Sequence, residues 1–360
     1  MRSIMFIAGE ASGDAHSAAL IRALRSRSPD LCVFGAGGPQ MKAAGMELLV
    51  DLTAHAIVGL VEVLKNLARL RQIFRQLVRE AETRRPDAVV LVDYPGFNLR
   101  FAAAMKKRRI KVIYYISPQV WAWHASRARQ IERNVDLMLV IFPFEKDWYA
   151  KRAPSLRVEF VGHPFSDTIL QNPKSETRDP KLVLLLPGSR DREVAHIFPI
   201  LGKVVDRFPS DVRFVAAAVN EQTAAMIRHP RVSVEVGTAH RLMQQAAAAI
   251  VASGTATVEC AFFNCPMVVV YHVNWITYVA GKLVVRVKWL AMPNLIAGSA
   301  IIPEFIQEAA KPEVVAAAVR ELLDNPVKRQ EMQRNLAGVV AGLGGAGASE
   351  QAARLILATA

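Results

Sequence analysis

Cysteine is scarce in this 360-residue chain: Cys32, Cys260 and Cys265 form no C-x-x-C pair and leave one thiol over. Free buried thiols in a reducing compartment are expected, well ahead of a disulfide or a cysteine metal site. Aromatic residues make up only 7%, and no uninterrupted apolar run is long enough to span a bilayer. The first apolar run, Ile4 to Ala8, meets Glu10 and Asp14 too early to be a signal peptide. The expectation is a cytoplasmic protein, soluble or peripheral. Acidic residues are short of basic ones, 32 against 45, which leaves a net charge of +13. That surplus suggests an acidic partner: nucleic acid, anionic lipid or a phosphorylated substrate. No G-x-x-x-x-G-K-[ST] occurs, so the P-loop reading is weak. Gly35-Ala-Gly37-Gly38-Pro39-Gln40 opens like a dinucleotide fingerprint but lacks its last glycine and carries Pro39 in the turn.

What the chain does have is apolar residues, 52% of the total, enough for two cores. Apolar runs predict strands at Ser3 to Ala8, Leu31 to Phe34, Ala88 to Val92, Lys111 to Ile116, Asp136 to Ile141 and Val158 to Val161. A polar, proline-bearing stretch, 166–180, reads as a linker. The alternation then restarts with Leu182 to Leu186, Val212 to Ala217, Val232 to Val236, Ala248 to Val251 and Met267 to Val270. Helical stretches fill the gaps, and Pro312 to Thr359 is helical apart from Gly342 to Gly347. Strands alternating with helices predict two doubly wound, Rossmann-like α/β domains. The domains are set at 1–165 and 181–345, with 346–360 a C-terminal helix free to pack back on the first. A ligand is expected in the cleft between them, at the carboxyl ends of the strands.

Two turns carry the strongest chemical signal. Leu182-Val-Leu-Leu-Leu-Pro-Gly-Ser-Arg190 is a buried strand that ends abruptly in small residues and then a helix start. Backbone N–H groups and a partial positive charge meet there, which makes an anion site. Arg190 adds a planar, permanently charged fork suited to a diphosphate. An ordinary strand-to-helix turn with a surface arginine explains this turn equally well. Ala252-Ser253-Gly254-Thr255-Ala256-Thr257-Val258-Glu259 repeats the plan and sets Glu259 about one helical turn in. A carboxylate there can accept from ribose hydroxyls, or simply complement the helix dipole. Taken together, the two turns favour a nucleotide.

Asp93 follows a buried strand, and Pro95-Gly96 forces a turn beside it. A general base for a hydroxyl proton fits that placement, and a helix-capping aspartate fits it too. His16 reads equally as a base or a packed histidine, and His163, before Pro164, as structural. Ile57 to Leu64 with Leu67, Leu70, Ile73, Phe74 and Leu77 is more apolar than a solvent-facing helix needs, and Arg69, Arg71, Arg75 and Arg79 are interleaved with it. Such a segment suits an anionic bilayer surface or acyl chains, or an ordinary core-facing helix. Trp121 and Trp123 belong to a membrane rim or to a pocket wall.

Six motifs in order, Gly9-Glu-Ala-Ser-Gly13-Asp14, Val92-Asp93-Tyr-Pro-Gly-Phe-Asn98, Ser117-Pro118-Gln119-Val-Trp121-Ala-Trp123, Leu186-Pro187-Gly188-Ser189-Arg190, Ala252-Ser253-Gly254-Thr255 with Glu259, and Met292-Pro293-Asn294-Leu295, resemble the lipid-A-disaccharide synthases. The likeness runs from Ile4 to about Gln307. It implies an inverting glycosyltransferase of GT-B fold at the inner face of a Gram-negative inner membrane. The implied reaction joins UDP-2,3-diacylglucosamine to 2,3-diacylglucosamine 1-phosphate (lipid X), giving a β(1→6) disaccharide 1-phosphate and UDP. By the same likeness Asp93 is the base and Arg190 the group at the diphosphate. Gly188, Ser189, Ser253, Gly254, Thr255, Glu259 and Asn294 fall on the UDP side. Glu10, Ser12, Gly13 and His16 fall on the acceptor side, where Glu10 and His16 are also candidates to take the acceptor proton. Tyr94 and Gly96 depart from the family pattern.

Inversion is a single in-line displacement, so no enzyme nucleophile is needed, only a base and charge stabilisation on departing UDP. Arg190 and two helix starts can supply the latter, so no metal and no cofactor are expected. Expected partners are the two lipid substrates and an anionic inner-membrane surface; a homodimer is compatible. The competing readings are a GT-B transferase or epimerase acting on a soluble UDP-N-acetylhexosamine and, more remotely, a non-catalytic nucleic-acid binder. The latter has no matching module or stacking array here.

Overall fold

In a computed structural model the chain divides into two compact units, Met1–Thr168 with Leu343–Ala360, and Ile169–Gly342. The structure describes residues 2–53, 60–169, 177–275, 278 and 287–360, with backbone alone for 60–67.

The first unit holds β1 (Ser3–Ala8), β2 (Cys32–Gly37), β3 (Glu47–Asp51), β4 (Ala88–Val92), β5 (Lys111–Tyr115), β6 (Leu137–Val140) and β7 (Val158–Phe160). They form one parallel sheet in the order β3-β2-β1-β4-β5-β6-β7. Every residue of β4 is buried, as are five of six in β1, because helices cover both faces of a parallel sheet. The second unit holds β8 (Asp179–Leu186), β9 (Arg213–Ala218), β10 (Val232–Val236), β11 (Ala246–Ala252), β12 (Met267–Tyr271) and β13 (Glu304–Ile306). Its parallel order is β10-β9-β8-β11-β12-β13.

In each sheet the winding reverses once, between β1 and β4 and between β8 and β11. The chain turns away in opposite directions at those points and leaves a crevice at the carboxyl ends of the two strands. Both motif turns of the second half, and the Gly9 and Asp93 turns of the first, lie at these reversals. Sequence periodicity misses β3 and β13. Both are short strands at a sheet edge, half-exposed along most of their length, so they lack a long apolar signature. Ala246-Ala-Ala-Ala249 is a good helix former by propensity, yet it is strand. Between β8 and β12 all of β11 is buried, and tertiary context overrides propensity.

Of the stretch read as a linker, Phe165–Ile169 is a short helix, 170–176 lie outside the described residues, and β8 already begins at Asp179. After Gly342 the chain returns to the first unit as the helix Ala348–Thr359. The Asp167 carboxylate caps that helix, accepting the Gly347, Ala348 and Ser349 N–H groups at 2.7, 3.3 and 2.9 Å. Arg27 pairs with Glu350 at 2.7 Å, and Lys111 Nζ donates to the Thr359 carbonyl at 2.6 Å. Glycine is required where the backbones cross: a Cβ on Gly344, at φ 85°, would stand 3.1 Å from Gly162 Cα. The three cysteines are free; Cys260 and Cys265 are buried and Cys32 is half-buried.

Candidate functional site

In the first unit, β1 and β4 pair with Ala8 beside Val92, so the turns that follow them are neighbours. Asp93 and Tyr94 both take left-handed backbone, at φ 44° and 48°. Two consecutive non-glycine residues there cost about 1–3 kcal/mol each, a strain that persists only when surrounding groups enforce it. The enforcing groups are visible. The Asp93 carbonyl accepts Tyr114 Oη at 2.6 Å and Asn98 Nδ2 at 2.8 Å, and both donors come from buried residues. The Tyr94 ring lies on Gly9, where a Cβ would come within 2.4 Å of it, and burial with the Glu10 charge pushes the Tyr94 phenol up. Tyr94 and Glu10 are therefore neighbours, and Asp93 adjoins Tyr94 at the same strand ends. Ser12 is exposed, while Gly13 is buried against Ala8 and Val92. His16 is half-buried with its ring edge-on to His163, centroids 6.3 Å apart. Burial, with His16 nearby, pushes His163 down to about 3, and its Nδ1 accepts the Phe165 N–H at 3.2 Å.

Asp14 explains why the glycine-rich turn after β2 is no dinucleotide site. Its buried carboxylate accepts the Gly38, Gln40 and Met41 N–H groups, each at 3.0 Å. The amide nest a pyrophosphate would use already holds an internal anion. Asp14→Ala is expected to leave these N–H groups unpaired and destabilise the protein by about 3 kcal/mol. Chemical denaturation checks this; an unchanged midpoint would refute it.

The two tryptophans separate. Trp121 is buried and donates through Nε1 to Glu145 Oε1 at 3.0 Å, while Trp123 is 52% exposed. Glu145 also accepts the Phe142 N–H at 3.1 Å, and burial outweighs these bonds, pushing its carboxyl up to about 8. Of the Ile57–Leu77 segment, 57–59 and the side chains of 60–67 lie outside the described residues. Further along the helix Leu60–Arg84, Leu77, Val78 and Ala81 face the core while Arg69, Arg71, Arg75 and Arg79 are exposed. No described helix is long and apolar enough to cross a membrane.

In the second unit, Leu186 pairs with Val251, which sets the turns after β8 and β11 side by side. Pro187 is buried, and Ser189 and Arg190 are exposed at the start of the helix Asp191–Val205. Glu193, one turn in, organises the turn: one carboxylate oxygen accepts the Ser189 N–H at 2.9 Å and the other meets Arg190 Nη1 at 3.0 Å. Gly188 adopts φ 126°, and a Cβ there would strike the Glu193 side chain at 2.5 Å. Gly254 and Thr255 are exposed at the start of the helix Thr255–Phe262, with open space over Gly254. Glu259 is half-buried, its Oε2 3.2 Å from His240 Nε2. Ser253 Oγ donates to the Leu290 carbonyl at 3.1 Å, which ties this turn to the Met292–Ala297 helix.

Asn294 corrects an expectation. It is fully buried: Nδ2 donates to the Ile302 carbonyl and Glu304, at 2.9 and 2.7 Å, and Oδ1 accepts the Ile301 and Ile302 N–H groups, at 2.7 and 2.9 Å. An amide so committed holds a loop and has no capacity left for a ligand. Sequence reasoning missed Tyr114 and Glu193; neither role has a local signature.

The family model described as lipid-A-disaccharide synthetase matches residues 4–356. The lipid-A-disaccharide synthase of Geobacter metallireducens is 40% identical over 374 aligned residues, covering 99% of this chain and 97% of that protein. That of Koribacter versatilis is 39% identical, covering 100% and 99%. Among solved structures, UDP-GlcNAc 2-epimerase from Neisseria meningitidis bound to UDP-GlcNAc superposes with TM-score 0.69 at 13% identity, covering 99% of this chain and 100% of that one. MurG of Acinetobacter baumannii gives 0.60 at 15%, with the same coverage. At those identities the likeness is one of fold.

Proposed function

The chain belongs to the lipid-A-disaccharide synthase family, and from that membership we propose that it transfers a 2,3-diacylglucosaminyl group from UDP to the 6-hydroxyl of 2,3-diacylglucosamine 1-phosphate. It is a hexosyltransferase of lipid A biosynthesis with the GT-B fold. The proposed products are the β(1→6) disaccharide 1-phosphate and UDP. One observation carries the reading: the Pro187–Arg190 and Ser253–Thr255 turns stand side by side where the second sheet reverses. That arrangement suits a sugar nucleotide, with Gly188, Ser189, Arg190, Ser253, Gly254 and Thr255 around the diphosphate and Glu259 at the ribose. Asn294, with Glu304, holds the loop beside them.

The first unit takes the acceptor. Asp93 draws the proton from the attacking hydroxyl, with Glu10, Ser12 and His16 around it and Gly13 packing the helix beneath. The leaving UDP is stabilised by Arg190 and the two helix starts, without a metal. The excess of basic residues and the apolar 57–77 segment suit an acylated, anionic substrate taken from the inner face of an anionic membrane.

The test is incubation of the whole protein with UDP-2,3-diacylglucosamine and 2,3-diacylglucosamine 1-phosphate in EDTA, with product mass measured. A tetra-acylated disaccharide 1-phosphate is expected, and no turnover of UDP-GlcNAc. Absence of the disaccharide with and without added magnesium would refute the reaction. Formation only with magnesium would refute the metal-free mechanism.

A further inference from the structure

Immediately past β12 stands His272, which has no task in the site described above. Its Nδ1 is buried and has no hydrogen-bond partner among the described residues, although the residue as a whole is half-exposed. A buried polar atom left unpaired costs about 1–3 kcal/mol, which decides which nitrogen carries the proton. An unpaired N–H is worse tolerated than an unpaired acceptor, so the proton belongs on Nε2. With Nδ1 buried, Nε2 is also the only ring nitrogen that can meet a ligand.

Its surroundings place that donor. The Ser253 N–H donates to the Val270 carbonyl at 3.2 Å, so His272 lies two residues, about 7 Å of strand, beyond that bond. The helix that begins after Arg190 approaches the same end of β12. Burial, and then the Glu193 charge, pushes the Tyr271 phenol up, and burial, and then His196, pushes the His272 imidazole down. His196 Nδ1 is 2.7 Å from the Arg192 carbonyl, so that nitrogen carries its proton and the ring is fixed on its own helix. The segment is held rigidly. The Gln307 amide clamps the next residue, accepting the Val273 N–H at 2.7 Å and donating to the Val273 carbonyl at 2.9 Å. Gln307 does this from a left-handed backbone, φ 52°, a conformation that costs about 1–3 kcal/mol. The imidazole is thus held two residues past the strand bond to the Ser253 turn, which stands beside the Pro187–Arg190 turn.

We infer that His272 donates a hydrogen bond through Nε2 to a phosphate oxygen of the sugar nucleotide held by Arg190. This rests on the nucleotide-sugar reading of the same site. No proton is transferred; the bond strengthens as negative charge gathers on the departing diphosphate.

The test measures UDP and uridine binding by calorimetry in the full chain and its His272→Phe and His272→Gln variants. Loss of a donor to a charged oxygen is expected to weaken UDP about tenfold in His272→Phe and leave uridine unchanged. The glutamine amide reaches the Nε2 position, so His272→Gln should recover most of the affinity. In the wild-type protein the His272 Nε2 nitrogen resonance should move on adding UDP and stay put with uridine, a readout independent of how the variants fold. Equal UDP affinity in His272→Phe, equal losses for UDP and uridine, or an unmoved resonance at saturating UDP would each overturn the inference. Should Arg190→Ala weaken UDP while His272 proves indifferent, the sugar-nucleotide reading stands and only this inference falls. If the wild-type protein binds no UDP at all, both fall.

Discussion

Arg190→Ala is expected to lower kcat/KM by about 10²–10³-fold, the loss typical of removing a group that stabilises charge gathering on a leaving diphosphate. The reason lies in how the turn is built. Arg190 is the residue before the first turn of a fifteen-residue helix, so its guanidinium shares a small region with backbone N–H groups that face the same way. Glu193 holds both Ser189 and Arg190 in that arrangement, and glycine at 188 makes room for it. The ion pair itself is exposed and contributes about 0–1 kcal/mol, so the melting temperature should hardly move. Fold and catalysis are therefore separable at this position. Arg190→Lys keeps the charge but loses the two-pronged geometry, and its rate should fall between wild type and alanine. Wild-type turnover in Arg190→Ala would remove the arginine from the mechanism.

The same turn shows what can be read from sequence and what cannot. Leu182 to Arg190 and Ala252 to Glu259 announce a strand, a small-residue turn and a helix through local composition alone, and the structure sets those turns at a winding reversal. Contacts across the fold leave no such trace. Asp14 looks like one more polar residue in a loop, yet three amides some 24 to 27 residues away depend on it. The incomplete fingerprint at Gly35 to Gln40 misleads for the same reason, since only the fold reveals the carboxylate seated in it. Asn294 reads as a candidate ligand contact from its motif, while its actual partners lie seven to ten residues on and fill its amide completely. His272 is silent in sequence because being unpaired is a property of surroundings, not of residue type.

Asp93→Asn is expected to reduce kcat by about 10²–10⁴-fold with little change in the acceptor KM, the range general-base catalysis supplies. The substitution is chosen for the backbone. Asp93 sits at φ 44°, a left-handed conformation that asparagine tolerates as well as aspartate. Its carbonyl keeps the bonds from Tyr114 and Asn98, because neither involves the side chain. Asp93→Ala would be a poorer probe, since a Cβ without a polar group costs about 1–2 kcal/mol in that region and confounds chemistry with stability. The asparagine variant changes one thing: an acceptor-only carboxylate becomes an amide that cannot take a proton at neutral pH. Two neighbours could take over. Glu10 lies close enough for its charge to raise the Tyr94 phenol, and His16 sits on the helix that follows. If Asp93→Asn turns over at the wild-type rate, the base is one of these, and Glu10→Gln and His16→Gln made in the Asp93→Asn background identify which. If instead Asp93→Asn is slow and neither double variant is slower still, neither neighbour is recruited and the carboxylate of Asp93 is the base.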